Sequence, residues 1–191
     1  MLTNQKRIMD LKNTDMVEAA GRIINRSGTD ALSIEELSLE MGVDQYQLSP
    51  YFKKNDDILI MVLQRLEKDI KQLVSDSMSL NGASEKELEN LFGTLNNLFG
   101  QKPFYLSIIF STELTERIPA IQEIMLRIKS IAKMHLIQVI NHGKNEKVHK
   151  TKQTTMSLAT NIIDSFRLFM NEQRVIDKMV RDIEILKNVQ D

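Results

Sequence analysis

Apolar residues recur at spacings of three and four along almost the whole chain, and no segment alternates strictly between apolar and polar. That pattern predicts helices and no strands. About nine helices are expected, with Gly, Pro and Asn-Gly pairs as the punctuation between them. The first should run from about Asp15 to Arg26, with Val17, Ala20, Ile23 and Ile24 inward and Gly28 as its stop. Ser33 with Glu36 reads as a capping box opening the second helix, whose core contacts are Ile34 and Leu37 and which Gly42 ends. Asp44 caps a short third helix, and Asn55 or Asp56 caps a fourth reaching about Met78.

The carboxy-terminal part continues in the same way. Ser84 with Glu87 repeats the capping signal for a helix to Phe99, and Pro103 and Pro119 stand near the first turns of two more. The Pro119 helix should end near His142, followed by a polar loop over 143–151. Two final helices are expected at about 152–171 and 174–188. The fold class is therefore all-α: an amino-terminal three-helix module at 1–54, then a helical bundle at 55–191. No internal repeat or low-complexity tract interrupts this order.

Composition narrows the function classes. With no cysteine among 191 residues there is no disulfide, thiolate nucleophile or thiolate metal site. The longest apolar runs, such as ILIMVL at 58–63, are too short to span a bilayer, and MLTNQKRIMDLK lacks the apolar core of a signal peptide. A cytoplasmic protein with no membrane partner is expected. Walker loop, dinucleotide fingerprint and nucleophile elbow are all missing from the sequence, so we expect neither an enzyme nor a cofactor. Glu146-Lys147-Val148-His149 has the spacing of one di-iron half-site, but a pair on facing helices is needed, and a solvated turn is the better reading.

The densest signal lies at 33–59, SIEELSLEMGVDQYQLSPYFKKNDDIL. Two helices joined through a glycine turn can lay the second into a DNA major groove. AAGRIINRSGTDALSIEELSLEMGV, then Leu48, Tyr51-Phe52 and Asp56-Asp57 before Ile58-Leu59, resembles the amino-terminal domain of TetR-family transcriptional regulators over about 50 residues. Physically, Leu37, Met41, Val43, Leu48 and Phe52 can converge on the first helix and leave the outer face of 44–51 free. The candidate DNA-contacting set is Ser33, Asp44, Gln45, Tyr46, Gln47, Ser49, Tyr51, Lys53 and Lys54. Amides suit adenine, hydroxyls and lysines suit phosphate, and helix amino termini can hold phosphate with no formal charge.

The module departs from the family pattern in three places. Ser49 stands where a phosphate-contacting tyrosine is usual, Asn55 where a lysine is common, and Pro50 should end or bend the third helix before two full turns. No Lys or Arg lies between Arg26 and Tyr51, while Asp30, Glu35, Glu36, Glu40 and Asp44 do. With a net charge of −1, any attraction to DNA must be local, from Lys53, Lys54 and the arm residues Lys6, Arg7 and Lys12.

Two further clusters follow from the apolar pattern. Phe92, Phe99, Phe104, Tyr105, Phe110, Met125, Met134 and Phe166 form either a packed core or, as the resemblance implies, the lining of an apolar ligand cavity. His135 falls on the stripe of Ile128, Ala132 and Val139, as a core histidine or a group that orients a ligand. Ile162, Phe166 and Phe169 beside Ile176, Val180 and Ile183 make a face that closes the protomer or pairs with a second copy, as the last two helices do in that family. The resemblance implies a homodimeric regulator, most often a repressor, that binds a pseudo-palindromic double-stranded operator and is released by a small apolar or amphipathic effector. The alternative is a dimeric helical interaction protein whose helix-turn-helix no longer reads DNA.

Overall fold

The computed structural model describes residues 2–79, 84–145 and 153–188, with side chains described for 13–77, 86–145, 153–172 and Arg174. Nine α-helices and no strand occur among the described residues. They are α1 (Leu2–Ser27), α2 (Ile34–Met41), α3 (Gln45–Leu48), α4 (Asp56–Ser79), α5 (Ser84–Gln101), α6 (Phe104–Ile109), α7 (Thr112–Arg117), α8 (Pro119–Asn145) and α9 (Thr155–Asn188). A single 3₁₀ turn, Thr29–Ala31, links α1 to α2. No described helix is long and apolar enough to cross a membrane.

The all-α expectation holds, but four boundaries differ. Helix α1 starts at Leu2 rather than near Asp15, because residues 2–14 contain no Gly or Pro and a nucleated helix extends cheaply. Helix α7 has no forerunner in the sequence reading: six residues with Leu114 as their buried contact are too short to show a period. Ser111 caps it, its Oγ accepting the Leu114 amide at 3.2 Å. Helix α8 continues past His142 to Asn145, through a buried Gly143. The two expected final helices are one, since Asn171-Glu172-Gln173 is polar but holds no breaker. Glu146 and His149 lie outside the described residues.

The chain forms two compact units, 1–71 with 98–128 and 72–97 with 129–191. The first has its core on α1, where Met16, Val17, Ala19, Ala20, Ile23 and Ile24 are buried. Leu37, Leu48, Phe52, Ile58, Val62, Leu63 and Leu66 are buried in the same unit. Helix α6 packs against α1 at Gly21, where a Cβ would lie 2.5 Å from the Phe104 ring. Polar ties reinforce the same helices. Arg65 joins Asp69 at 2.7 Å and Thr14 Oγ1 at 2.9 Å, and the Tyr105 hydroxyl donates to Asp69 at 3.3 Å. Burial beside that carboxylate pushes the Tyr105 phenol well above its ordinary pKa.

In the second unit Leu91, Leu136, Ile140 and Ala159 form the buried centre. Phe92, Leu95, Ile137, Ile162 and Ile163 pack around it, and the Phe92 and Phe166 rings meet tilted at 5.3 Å. The turn into α9 is held by Lys144 Nζ on Gln153 O and Thr155 Oγ1, both at 3.1 Å. Thr154 Oγ accepts the Ser157 amide at 3.2 Å as the cap of α9.

Candidate functional site

The turn that presents α3 begins with two glycines at positive φ. Gly28 (φ 84°) ends α1, and Gly42 (φ 64°) ends α2 in the left-handed region that L-residues with a side chain avoid. Gly42 N–H donates to Leu39 O and Val43 N–H to Ser38 O, closing α2 with a Schellman pair. Ser33 caps the other end, its Oγ accepting the Glu36 amide at 3.0 Å. Helix α2 is also tied to α1 by a double ion pair. Glu40 accepts from Arg22 at 2.6 Å and Arg26 at 3.0 Å, which holds its carboxyl below the usual range. One acidic charge on this surface is thereby neutralised within the module.

Helix α3 is one turn long, four residues, as Pro50 requires. Leu48 and Phe52 point inward at 3% and 4% exposure. Gln45, Tyr46 and Gln47 point outward, and Tyr46 is 85% exposed. Proline at 50 leaves the Tyr46 carbonyl without its helical amide, and the Ser49 hydroxyl takes that place, donating to Tyr46 O at 2.9 Å. Lys53 Nζ donates to Ser49 O at 3.1 Å and closes the same end. Asp44 caps the opposite end, accepting the Tyr46 amide at 2.9 Å.

These contacts sort the nine expected DNA-facing residues. Gln45, Tyr46, Gln47, Tyr51 and Lys54 are exposed side chains on one short helix and the turn after it. Asp44 and Ser49 are instead bound to the ends of that helix, and Lys53 is exposed but folded back on it. Ser33 accepts the Glu36 amide with its Oγ, which leaves the hydroxyl proton able to donate. The uncharged amides expected to hold phosphate are largely occupied by the module's own side chains. Asn55 does not cap α4: its Oδ1 accepts the Ile34 amide at 3.1 Å, at the start of α2. Asp57 reaches back to the Lys53 and Lys54 amides at 2.7 and 3.1 Å. Spacing along one helix gives no sign of the Asn55 bond, which joins residues 21 apart.

The expected ligand-lining residues divide between the two units. Phe99, Phe104, Tyr105, Phe110 and Met125 belong to the first, and Phe92, Met134, His135 and Phe166 to the second. Phe104 and Tyr105 are committed to Gly21 and Asp69 in the first unit. Met134 does not line an interior in the protomer: it is 59% exposed, one residue and about 100° around α8 from the buried His135. On the expected dimer face, Ile162 and Phe166 close the second unit's own core, while Phe169 is 51% exposed beside Leu168 at 66%. The side chains of Ile176, Val180 and Ile183 lie outside those described.

His135 is a buried polar residue of the second unit with polar neighbours of its own. It is 1% exposed, its Nε2 lies 3.2 Å from Ser77 Oγ and 3.7 Å from Glu87 Oε1, and its Nδ1 has no partner. Burial keeps the ring's pKa below the ordinary histidine value, outweighing the pull of Glu87. Serine, histidine and carboxylate meet here, but not as a catalytic triad. Both oxygens share one ring nitrogen, whereas a triad needs them on opposite nitrogens. Sequence reading picked out His135 and missed its partners: Ser77 carries no local signal, and Glu87 reads as half of a capping box.

No protein-family model and no curated protein matches the sequence. Solved structures match across most of the chain. The fatty acid degradation regulator FadR of Bacillus halodurans superposes with a TM-score of 0.72 at 17% identity, covering 87% of this chain and 85% of that one. FadR of Bacillus subtilis, solved with stearoyl-CoA, gives 0.71 at 14% identity over 86% and 88% of the two chains. A TetR transcriptional regulator of Legionella pneumophila gives 0.71 at 15% identity over 85% and 87%. At these identities the likeness establishes architecture, and the architecture is that of the TetR-family transcriptional regulators.

Proposed function

We propose that this protein is a dimeric DNA-binding transcriptional regulator, a repressor released by a small apolar or amphipathic effector held among its carboxy-terminal helices. The observation that carries the reading is the outward Gln45-Tyr46-Gln47 face on a helix anchored by buried Leu48 and Phe52, within the fold shared with TetR-family regulators. Glutamine amides fit the paired donor and acceptor of an adenine edge, and an exposed tyrosine offers both a ring and a hydroxyl. Two such heads in a twofold dimer would engage half-sites about one helical turn, roughly 34–36 Å, apart on a pseudo-palindromic operator. Exposed Phe169 and Leu168 on α9 supply apolar surface for the pairing. The stearoyl-CoA bound by the Bacillus subtilis regulator supports an amphipathic effector for a chain of this fold.

The test is binding of duplexes tiled across the gene's own upstream region, across a salt series. One duplex should bind as a dimer with an affinity that falls as salt rises. Gln47→Ala should change which base is preferred, and unchanged preference with weaker binding would refute base reading by Gln47.

A second reading, a dimeric helical interaction protein that does not read DNA, is favoured by one observation. The amides of Ile34, Lys53 and Lys54, which a phosphate could use, are taken by Asn55 and Asp57. Failure of every upstream duplex to bind a dimer that forms normally would select this reading.

A further inference from the structure

The second unit holds a buried hydrogen-bonding group with a defined polarity. His135 Nε2 faces Ser77 Oγ at 3.2 Å and Glu87 Oε1 at 3.7 Å. Glu87 lies beyond hydrogen-bond reach of Nε2, but its charge favours the neutral tautomer with the proton on that nitrogen, which then donates to Ser77 Oγ. Nδ1 is then a bare acceptor, and it has no donor within reach although the side chain is 1% exposed. A buried acceptor left in that state is unfavourable, and native interiors satisfy nearly all such groups. Glu87 and His135 are the chain neighbours of Leu88 and Leu136, which belong to the unit's apolar cluster.

We propose that His135 Nδ1 is the polar anchor of the effector, and that the group it accepts from is an uncharged donor, a hydroxyl or amide N–H, on an otherwise apolar molecule. This rests on the regulatory reading above and adds the chemistry of the effector's polar end. A carboxylate would set lone pairs against the Nδ1 lone pair, with the Glu87 charge close by. An ammonium would carry its charge into an apolar interior where Nδ1, a neutral acceptor, supplies no counter-charge.

The test uses the full chain without DNA, so it is independent of whether any operator binds. Probes of matched chain length are 1-decanol, decanamide, decanoate and decylammonium, read by calorimetry and by the ring-nitrogen resonances of ¹⁵N-histidine-labelled protein. The signal that vanishes in His135→Phe assigns the residue. Decanol and decanamide should bind at least tenfold more tightly than the two charged probes and should move the His135 Nδ1 resonance toward its hydrogen-bonded position. His135→Phe should weaken them about tenfold. If that variant does not fold, His142→Gln and His149→Gln assign the signal by elimination, and the resonance shift in the natural protein decides alone. The proposal is overturned if decanoate or decylammonium binds as tightly, or if neither neutral probe binds. A Nδ1 resonance that is already hydrogen-bonded in the free protein, and does not move, also overturns it. Loss of operator binding with these results intact would remove the regulatory reading and leave the ligand site standing.

Discussion

Gly21 lets α6 approach α1 because it has no Cβ to meet the Phe104 ring. Gly21→Ala should therefore lower stability by about 1–3 kcal/mol, the usual cost of overpacking a filled interior. Urea unfolding would show it, and Phe104→Leu in the same chain should recover part of the loss by making room. A second residue-scale prediction concerns charge. Arg127 clamps both oxygens of Glu67, at 3.1 and 2.9 Å, and Lys71 adds a contact at 2.8 Å. These cations hold the Glu67 carboxyl down at about 2, against an ordinary 4.5. Its native pKa is depressed, so the associated stability is full above pH 4.5 and is lost as pH falls from there toward 2. Across that window the natural protein should lose more stability than Glu67→Gln, measured by urea midpoints at each pH. Parallel losses in the two proteins would show that the clamp contributes nothing.

At the scale of elements, the chain's own side chains cap four helix starts. Ser33, Asp44, Ser111 and Thr154 each accept an amide at a helix start. Ser33→Ala should cost about 0.5–2 kcal/mol, read as a lower thermal midpoint. Helix α3 is the less usual case. Pro50 cuts it to one turn, and Ser49 and Lys53 supply the bonds its carboxy terminus lacks. Pro50→Ala restores an amide for Tyr46 O, and amide hydrogen exchange should then show the new amide at position 50 protected, as the Tyr51 and Phe52 amides on Leu48 O already are. Of the elements, α2 was legible from its cap, spacing and stop, α3 from its Asp44 cap and Pro50, α4 from its apolar spacing, and α5, α6 and α8 from their starts at Ser84, Pro103 and Pro119. Helix α7 was not, because one buried leucine makes no period, and the break expected near Asn171 was only a polar patch without Gly or Pro.

For the whole molecule, the decisive quantity is the electrostatic balance of a chain with net charge −1. The double ion pair of Glu40 and the capping roles of Asp44 and Asp57 commit three carboxylates to the module's own structure. Exposed Lys54 is then a principal cation beside the reading face. Lys54→Ala should weaken every duplex alike and lower the slope of log affinity against log salt by about one unit. A loss confined to one sequence would assign Lys54 to base reading instead. Lys53→Ala should do less to the slope, and should destabilise α3 as well, because its ammonium caps the Ser49 carbonyl.

The sequence by itself determined the helical class, the place and brevity of the third helix, and the position of His135 on an apolar stripe. Those features depend on neighbours three or four positions apart and on single breakers, so local physics decides them. Only the tertiary structure decided the partners: Asn55 with Ile34, Arg127 with Glu67, Ser77 and Glu87 with His135, and Phe104 with Gly21. Each joins residues distant in the sequence, some more than fifty positions apart, and helical spacing carries no information about which faces meet once the chain folds back on itself.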